Sequence, residues 1–145
     1  MLIRPVLPAD RAAWDVLWQG YLEFYKGNVA GVVTEVTWSR FFDEGEPVNC
    51  LVAEQDGALL GLVHYIFHRN TWMAGPVCYL QDLFTAAQAR GSGVGRALIE
   101  AVYEKAREAG SSRVYWMTHE SNAQAMVLYD KLASKSGFLQ YRKDF

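Results

Sequence analysis

Three glycines at alternate positions, Gly91, Gly93 and Gly95, form the stretch of the sequence best suited to hold a ligand. An apolar run precedes them and an amphipathic helical pattern follows, so unpaired backbone N–H groups and the positive end of a helix dipole would meet there. Glycine permits left-handed dihedrals and lets a ligand approach the backbone closely. Arg90 and Arg96 flank the stretch and add positive charge. This combination predicts a site for a phosphate or pyrophosphate group.

The spacing of these residues argues against two common phosphate-binding loops. A P-loop has Lys and then Ser or Thr directly after its last glycine, whereas Arg96 and Ala97 follow here. A dinucleotide-binding loop has the pattern G-x-G-x-x-G, but Arg96 occupies the sixth position, and no early strand precedes the turn. The pattern that fits is Arg-x-x-Gly-x-Gly, which runs from Arg90 to Gly95.

The composition narrows the class of protein. With 145 residues, the chain is expected to form one domain over residues 1–145, and 51% hydrophobic residues are ample for a core. A net charge of −2 leaves no basic surface for nucleic acid, and no apolar run is long enough to span a membrane. No signal peptide is visible. Cys50 and Cys78 lie in strand-like runs and are predicted to be buried free thiols, which indicates a reducing, cytoplasmic location.

Hydrophobic periodicity and turn residues predict an alternation of strands and helices. The predicted strands cover residues 1–5, 48–54, 59–68, 77–85, 113–118 and 138–145. The predicted helices cover residues 10–25, 34–42 (capped by Thr34), the segment from the glycine turn to 109, and 122–135. Asp56-Gly57 indicates a hairpin, and the strand–helix–strand connection after residue 77 indicates one parallel strand pair. The predicted fold class is therefore α/β, a mostly antiparallel sheet with one parallel pair and about four helices.

The first helix carries an unusually aromatic face. Aromatic residues recur at three- and four-residue spacing between positions 14 and 25, and most of them are expected to pack against the sheet. Phe24 and Tyr25 stand at the end of this helix, and Trp38 lies on the apolar face of the next one. These three residues are predicted to wall a pocket that binds the substrate.

A second group of residues lies near the end of the chain. Asn122 opens a helix, Leu128-Tyr129 lies within it, and Gly137-Phe138 starts the last predicted strand. Together with the Arg-x-x-Gly-x-Gly turn, this group resembles the C-terminal motif of the GCN5-related N-acetyltransferases (GNAT superfamily), and the resemblance covers essentially the whole chain. It implies the GNAT fold, with acetyl-CoA lying between two splayed parallel strands.

Two branches of the superfamily are similar to this sequence. The segment Tyr79–Thr85 resembles the polyamine acetyltransferases of the spermidine/spermine type, although Gln81-Asp82 stands where those enzymes carry Glu-Asp. Residues 115–122 and 128–131 look more like the fungal histone and D-amino-acid N-acetyltransferases. The segment from Tyr129 to Gly137 is longer than the common spacing, and we expect roughly one extra helical turn there.

The resemblance also implies roles for individual residues in binding acetyl-CoA. Backbone groups near the end of the central strand would bind the pantetheine arm and polarise the thioester carbonyl, and the glycine turn would bind the pyrophosphate. The residues assigned to the cofactor in this way are Leu83, Phe84, Thr85, Arg90, Gly91, Ser92, Gly93, Val94, Gly95, Arg96, Asn122 and Tyr129.

Acetylation of an amine poses two proton-transfer problems. The leaving thiolate benefits from a proton donor, and by motif position Tyr129 would be that donor. The amine arrives protonated, and Asp82, His119 and Glu120 are the candidate bases, with ordered water as the alternative. Gln81 and Asp82 are also predicted to contact the substrate. His64 and His68 are four residues apart on a strand-like segment, so they predict no metal site.

Three functions are compatible with the sequence. The first is an N-acetyltransferase that acts on a small-molecule primary amine by direct attack in a ternary complex. The second keeps the chemistry but acetylates a protein lysine or N-terminus. The third is an acyl-CoA-binding sensor without turnover. Because homodimers are common in the superfamily, a homodimer is also expected.

Overall fold

The computed structural model describes residues 1–145 and is built around a five-stranded sheet. The strands are β1 (Leu2–Pro5), β2 (Val48–Gln55), β3 (Ala58–His68), β4 (Val77–Thr85) and β5 (Val114–Tyr115). They are ordered in the sheet as in the chain. All neighbouring pairs are antiparallel except β4 and β5, which are parallel. The predicted mixed sheet with one parallel pair is confirmed.

Four α-helices pack around the sheet or flank it. They are α1 (Arg11–Phe24), α2 (Gly31–Arg40), α3 (Val94–Glu108) and α4 (Ala123–Leu132). Short 3-10 turns at Pro8–Asp10 and Ala87–Ala89 precede α1 and α3. Helix α2 begins before Thr34, whose buried hydroxyl accepts a hydrogen bond from the Trp18 indole instead of capping the helix as predicted. None of the helices is both long and apolar enough to cross a bilayer.

Strand alternation divides the interior into two clusters on opposite faces of the sheet. The cluster named here the α3 core joins α3 residues such as Leu98 to one set of strand side chains, including Leu51 and Val63. The α1 core joins α1 residues such as Trp14 to the alternate strand positions, including Leu62. The Asp56-Gly57 turn between β2 and β3 has φ values of 52° and 80°, as a two-residue hairpin requires, so the predicted hairpin is confirmed.

Cys50 and Cys78 are buried free thiols, as predicted. Burial raises the pKa of the Cys78 thiol to about 12 and raises that of Cys50 well above its usual value. Both sulfurs therefore remain protonated thiols in the hydrophobic interior at neutral pH.

Gly61 allows α3 to pack closely on the sheet. A Cβ at this position would lie 2.7 Å from the Phe84 carbonyl oxygen and 2.9 Å from a methyl group of Val94. Since a backbone oxygen cannot move away easily, we expect Gly61→Ala to lower the free energy of unfolding by about 1–3 kcal/mol. Gly31→Ala is the matched control, because a Cβ there meets nothing within 4 Å. Urea unfolding of both variants tests this, and equal stabilities would contradict it.

The C-terminal part of the chain differs from the prediction. Residues 133–145 form no strand, and Phe138, Leu139 and Tyr141 are 90%, 84% and 96% exposed, so the predicted strand over 138–145 is wrong. A strand needs a partner, and β5 pairs with β4 over only two residues instead of the predicted 113–118. The predicted extra turn of α4 is also wrong, because the helix ends at Leu132 and the next residue is extended.

Candidate active site

A β-bulge in β4 determines which side chains reach the site. Asp82 lies opposite His64 and Leu80 lies opposite Tyr65, so Gln81 is an extra residue without a partner on β3. The bulge reverses the alternation of β4. Before it, Leu80 faces the α3 core, whereas Asp82 beyond it lies on the α1 side, next to His64. Sequence reasoning missed this bulge, because no glycine or other turn residue marks it.

Asp82 belongs to a buried chain of hydrogen bonds. The Nδ1 atom of His64 lies 2.9 Å from Asp82 Oδ2, and the Trp14 indole N–H donates to His64 Nε2 over 3.1 Å. Trp14 is fully buried, and His64 and Asp82 are 3% and 9% exposed. A carboxylate that is buried and still hydrogen-bonded is suited to hold a cationic group.

The parallel strands β4 and β5 pair only at Cys78–Val114 and Tyr79–Tyr115. Beyond these positions, the second half of β4 has no neighbouring strand on that side, and its backbone is open to a ligand. A small cavity of about 60 Å³ lies at this opening. Its walls are Tyr21, Tyr25, Leu80, Gln81, Leu83, Trp116, Met117 and Tyr129. The splayed strand pair implied by the resemblance is therefore present.

Three tyrosines in this cavity keep their protons. Burial raises the pKa of Tyr129 to about 12, and the Trp116 ring packs edge-on against it with centroids 5.5 Å apart. Burial, and then the nearby Asp82 carboxylate, raise the pKa of Tyr21. Burial also raises the pKa of Tyr25, while a contact with Asn122 acts in the opposite direction. The cavity thus presents neutral phenol groups with Asp82 behind Tyr21.

The glycine turn has the conformation of an anion site. Gly91 and Gly93 have φ values of 80° and 86°, and Gly93 precedes the first residue of α3. No side chain caps this helix and no acidic residue lies in its first turn. The backbone N–H groups of residues 91–96 have no hydrogen-bond acceptor in the chain. Free N–H groups at a helix N-terminus fit the pyrophosphate of a nucleotide cofactor.

The side chains around the turn are held by the protein itself. The Arg90 guanidinium lies over the rings of Phe24 and Phe84, 5.2 and 5.7 Å from their centroids, and Arg96 pairs with Glu100 over 2.9 Å. The Ser92 hydroxyl donates to the Ala89 carbonyl. The backbone, more than these side chains, therefore presents donors to an anion.

The turn before α4 holds the other predicted site residues. The Asn122 amide donates to the Thr118 hydroxyl over 3.2 Å at the start of the helix. His119 and Glu120 are exposed and do not line the cavity, and His119 Nδ1 accepts the Ser121 backbone N–H over 3.1 Å. The chain contains no cluster of three or more His, Cys, Asp or Glu side chains that could hold a metal ion.

The three aromatic residues predicted to wall the substrate pocket, Phe24, Tyr25 and Trp38, do not line one common cavity. Tyr25 lines the small cavity, but Phe24 lines a separate open groove of about 740 Å³ between α1 and residues 84–90. Trp38 packs on Trp14 in the α1 core, with ring centroids 5.0 Å apart. Helical periodicity places such rings on one face, but it does not specify which of them contact the core. Tyr21 and Trp116 complete the cavity instead, and spacing alone did not single them out.

Comparison with known proteins shows the family. Residues 13–133 match the Acetyltransferase (GNAT) family. The chain is 35% identical over 146 aligned positions to D-amino-acid N-acetyltransferase HPA3 of Saccharomyces cerevisiae, with 99% of this chain and 91% of that protein covered. It is 32% identical over 102 positions to a thialysine N-epsilon-acetyltransferase of Bos taurus, with 65% and 59% covered.

The fold is shared with a solved structure at lower identity. AAC(6')-Iy, in complex with the bisubstrate analogue CoA-S-monomethyl-acetylneamine, superposes with a TM-score of 0.83 at 17% identity, and 99% of this chain and 97% of that chain are covered. The chain belongs to the GNAT acetyltransferase family. It is accordingly an acetyl-transferring enzyme with acetyl-CoA as its cofactor, and the unpartnered N–H groups and the open edge of β4 fit that group.

Proposed function

We propose that this enzyme transfers the acetyl group of acetyl-CoA to the primary amine of a small molecule, an amino acid or a polyamine-like compound. The observation that carries the proposal is the position of the Asp82 carboxylate, buried behind Tyr21, which lines the same cavity as Tyr129. A carboxylate attracts an ammonium group, and a protonated phenol supplies a proton. The carboxylate therefore suits the incoming amine, and the phenol suits the departing thiolate.

The cofactor would be held mainly by backbone. When bound, acetyl-CoA supplies an activated acetyl group as a thioester. The N–H groups of residues 91–96 would bind its pyrophosphate, and the unpaired edge of β4 at Leu83, Phe84 and Thr85 would hydrogen-bond to its pantetheine arm. Asn122, on the facing side of the opening, would hold the same arm.

Proton transfer would be shared by two residues. Asp82 binds the ammonium form of the acceptor and takes up its proton, directly or through water. Tyr129 donates its phenolic proton to the departing sulfur, which it can do because the raised pKa keeps it protonated. The second proton that the attacking nitrogen loses then restores the phenol through water, and the proton on Asp82 returns to solvent. Exposed His119 and Glu120 would only assist in returning protons to solvent.

Direct attack by the amine is supported by the absence of a suitable nucleophile. An acetyl-enzyme on cysteine would need an activated thiol, but Cys50 and Cys78 are buried in the two cores, and neither lines the cavity. Burial keeps their pKa values high, so neither supplies a thiolate. Initial rates measured against both substrates should therefore give intersecting lines, whereas a covalent intermediate would give parallel lines.

The size of the cavity favours a small acceptor. Its volume is about 60 Å³ and four of its eight walls are aromatic, which suits one amine head group more than a folded protein surface. The names of two relatives also favour a small acceptor, since one is a D-amino-acid N-acetyltransferase and the other a thialysine N-epsilon-acetyltransferase.

The test is a thiol-release assay with acetyl-CoA and matched acceptors. The panel contains L- and D-amino acids, polyamines and lysine peptides, with the N-acetylated form of each active compound as its control. Thiol release with one small amine class, and none with its acetylated form, supports the proposal. Release with peptides alone would favour a protein acceptor, and tight CoA binding without release for any amine would favour the sensor.

The raised pKa of Tyr129 predicts the alkaline side of the pH profile. kcat/KM for the amine should stay level up to about pH 10, because the acceptor binds in its ammonium form and its proton passes to Asp82 instead of being lost to solvent. Tyr129 keeps its proton until about pH 12. Deprotonation of Tyr129 should therefore not lower kcat/KM below about pH 10, which is the pKa of an ordinary phenol. Rates measured in overlapping buffers, with folding followed by circular dichroism, test this. A decline near pH 9 in a folded enzyme would contradict it.

A homodimer in the cytoplasm remains our proposal for the assembly and its location. Phe138, Leu139 and Tyr141 expose apolar surface in the segment that follows α4, and β5 leaves one edge of the sheet unpaired. Both features suit contact with a second copy. The two free thiols agree with a reducing compartment.

A further inference from the structure

The Asp82 carboxylate is held from behind by a residue that does not line the cavity. His64 lies opposite Asp82 on β3, and its Nδ1 atom is 2.9 Å from Asp82 Oδ2. We propose that His64, fixed by Trp14, is a positioning residue that aims the Asp82 carboxylate at the acceptor amine. This inference rests on the proposed function, in which Asp82 receives the ammonium group.

The protonation pattern of His64 follows from its partners. The Trp14 indole nitrogen can only donate, and it lies 3.1 Å from His64 Nε2. Nε2 must therefore accept, which places the imidazole proton on Nδ1, where it is donated to Asp82 Oδ2. The geometry thus assigns a neutral imidazole with one tautomer.

Neutrality matters for the charge of the site. An imidazolium beside Asp82 would cancel the negative charge of the carboxylate and weaken its attraction for a cationic amine. Trp14 opposes protonation of His64 because a second N–H on the ring would point at the indole N–H. His64 therefore engages one oxygen of the Asp82 carboxylate and leaves its negative charge uncancelled behind Tyr21.

The surroundings of His64 rule out a direct role in the reaction. Its ring is enclosed by Trp14, Trp18 and Phe41, with centroids 5.8, 5.1 and 5.1 Å away, and the residue is only 3% exposed. His64 is also not among the residues that line the cavity. The role that remains for His64 is to keep the Asp82 carboxylate from rotating. Residues behind metal ligands and catalytic groups orient those groups in the same way.

Two substitutions of similar size separate positioning from packing. His64→Asn places an amide N–H near the original Nδ1, whereas His64→Leu fills a similar volume without a donor. We expect His64→Leu to lower kcat/KM for the amine about tenfold or more, since a hydrogen bond to a charged group is lost. His64→Asn should stay within about threefold of the native enzyme, and the KM for acetyl-CoA should be unchanged in both. Equal losses in the two variants would mean that His64 only packs, and no loss in either would mean that it has no role.

A double-mutant cycle adds a readout that packing alone would not change. In the Asp82→Asn background, His64→Leu should cause little further loss, because the group it positions is gone. Additive losses would overturn the inference. If His64→Leu does not fold, Trp14→Phe takes its place in the cycle, since it removes the indole donor and keeps an aromatic ring.

The imidazole nitrogen chemical shifts test the same inference without turnover. The native protein should show a neutral ring with the proton on Nδ1, and Trp14→Phe, which frees Nε2, should show a larger fraction of charged ring at the same pH. A charged ring or an Nε2-bound proton in the native protein would overturn the inference. If no amine is acetylated while the Nδ1–H signature is present, the proposed function fails but the hydrogen-bonded arrangement stands.

Discussion

Replacing Tyr129 by Phe is expected to lower kcat about 10²- to 10⁴-fold, the range typical of removing a general acid. The side chain lines the cavity beside Trp116, and burial keeps its phenol protonated, so the substitution removes the proposed proton donor and little else. The affinity for acetyl-CoA should change little, because in the proposed site the backbone of residues 91–96 supplies most of that binding. Stopped-flow thiol release and calorimetric CoA titration measure the two quantities separately.

Tyr103→Phe is the matched control for this substitution. The Tyr103 hydroxyl donates to the Leu132 carbonyl over 2.8 Å between α3 and α4, outside the cavity. Its removal should cost about 1 kcal/mol of stability and leave kcat unchanged. A Tyr129→Phe enzyme as fast as Tyr103→Phe would remove Tyr129 from the mechanism and leave water as the proton donor.

Substitution of Gly93 by Ala should raise the KM for acetyl-CoA about 10- to 100-fold. Gly93 has a φ of 86° directly before α3, and a Cβ there would project into open space. That space is where the pyrophosphate would meet the free N–H groups of the turn. The added methyl group would crowd the pyrophosphate, and the strained backbone would shift. Both effects would weaken several hydrogen bonds to a charged group, and one such bond is worth about 1.5–3 kcal/mol.

Gly110→Ala separates strain from binding. Gly110 also has a positive φ, 76°, and a Cβ there also meets nothing within 4 Å, but it follows the far end of α3. Both variants should lose a similar amount of stability, about 1 kcal/mol, from the left-handed backbone. Only Gly93→Ala should lose affinity for acetyl-CoA in calorimetric titration. Equal losses of affinity would show that the turn does not bind the cofactor.

The residues with backbone roles could be predicted from the sequence. The glycine spacing before an amphipathic helix implies left-handed turns and free N–H groups, and the structure has both at Gly91 and Gly93. Asp56-Gly57 likewise specified its hairpin. In each case a local conformational requirement leaves few residue types, so the pattern is readable without knowledge of distant contacts.

The side-chain environment of the site could not be predicted in the same way. Whether Asp82 faces α1 or α3 depends on one extra residue, Gln81, and a shift by one residue reverses every later side chain of a strand. The pairing of Asp82 with His64 and the contact with Trp14 follow from that bulge and were invisible without it. Trp38 shows the same limit for helices, since periodicity does not tell a core ring from a pocket wall.

The C-terminal segment shows a further limit. Gly137-Phe138 matches the start of the last strand in the family motif, but a strand also needs a neighbour with unpaired backbone groups over a similar length. Strand β5 pairs with β4 over two residues only, so residues 138–145 remain exposed. The sequence motif of a strand is therefore present after Gly137, but a neighbouring strand to pair with it is not.

The most direct test of the central claim is to follow the acetyl group itself. The enzyme is incubated with isotopically labelled acetyl-CoA and the amine panel, and the products are identified by mass spectrometry beside the Tyr129→Phe variant. We predict one labelled acetyl group on the nitrogen of a small primary amine, formed by the native enzyme and at least about 100-fold more slowly by the variant. Label found only on protein lysines or N-termini, or only in free acetate, would contradict this account.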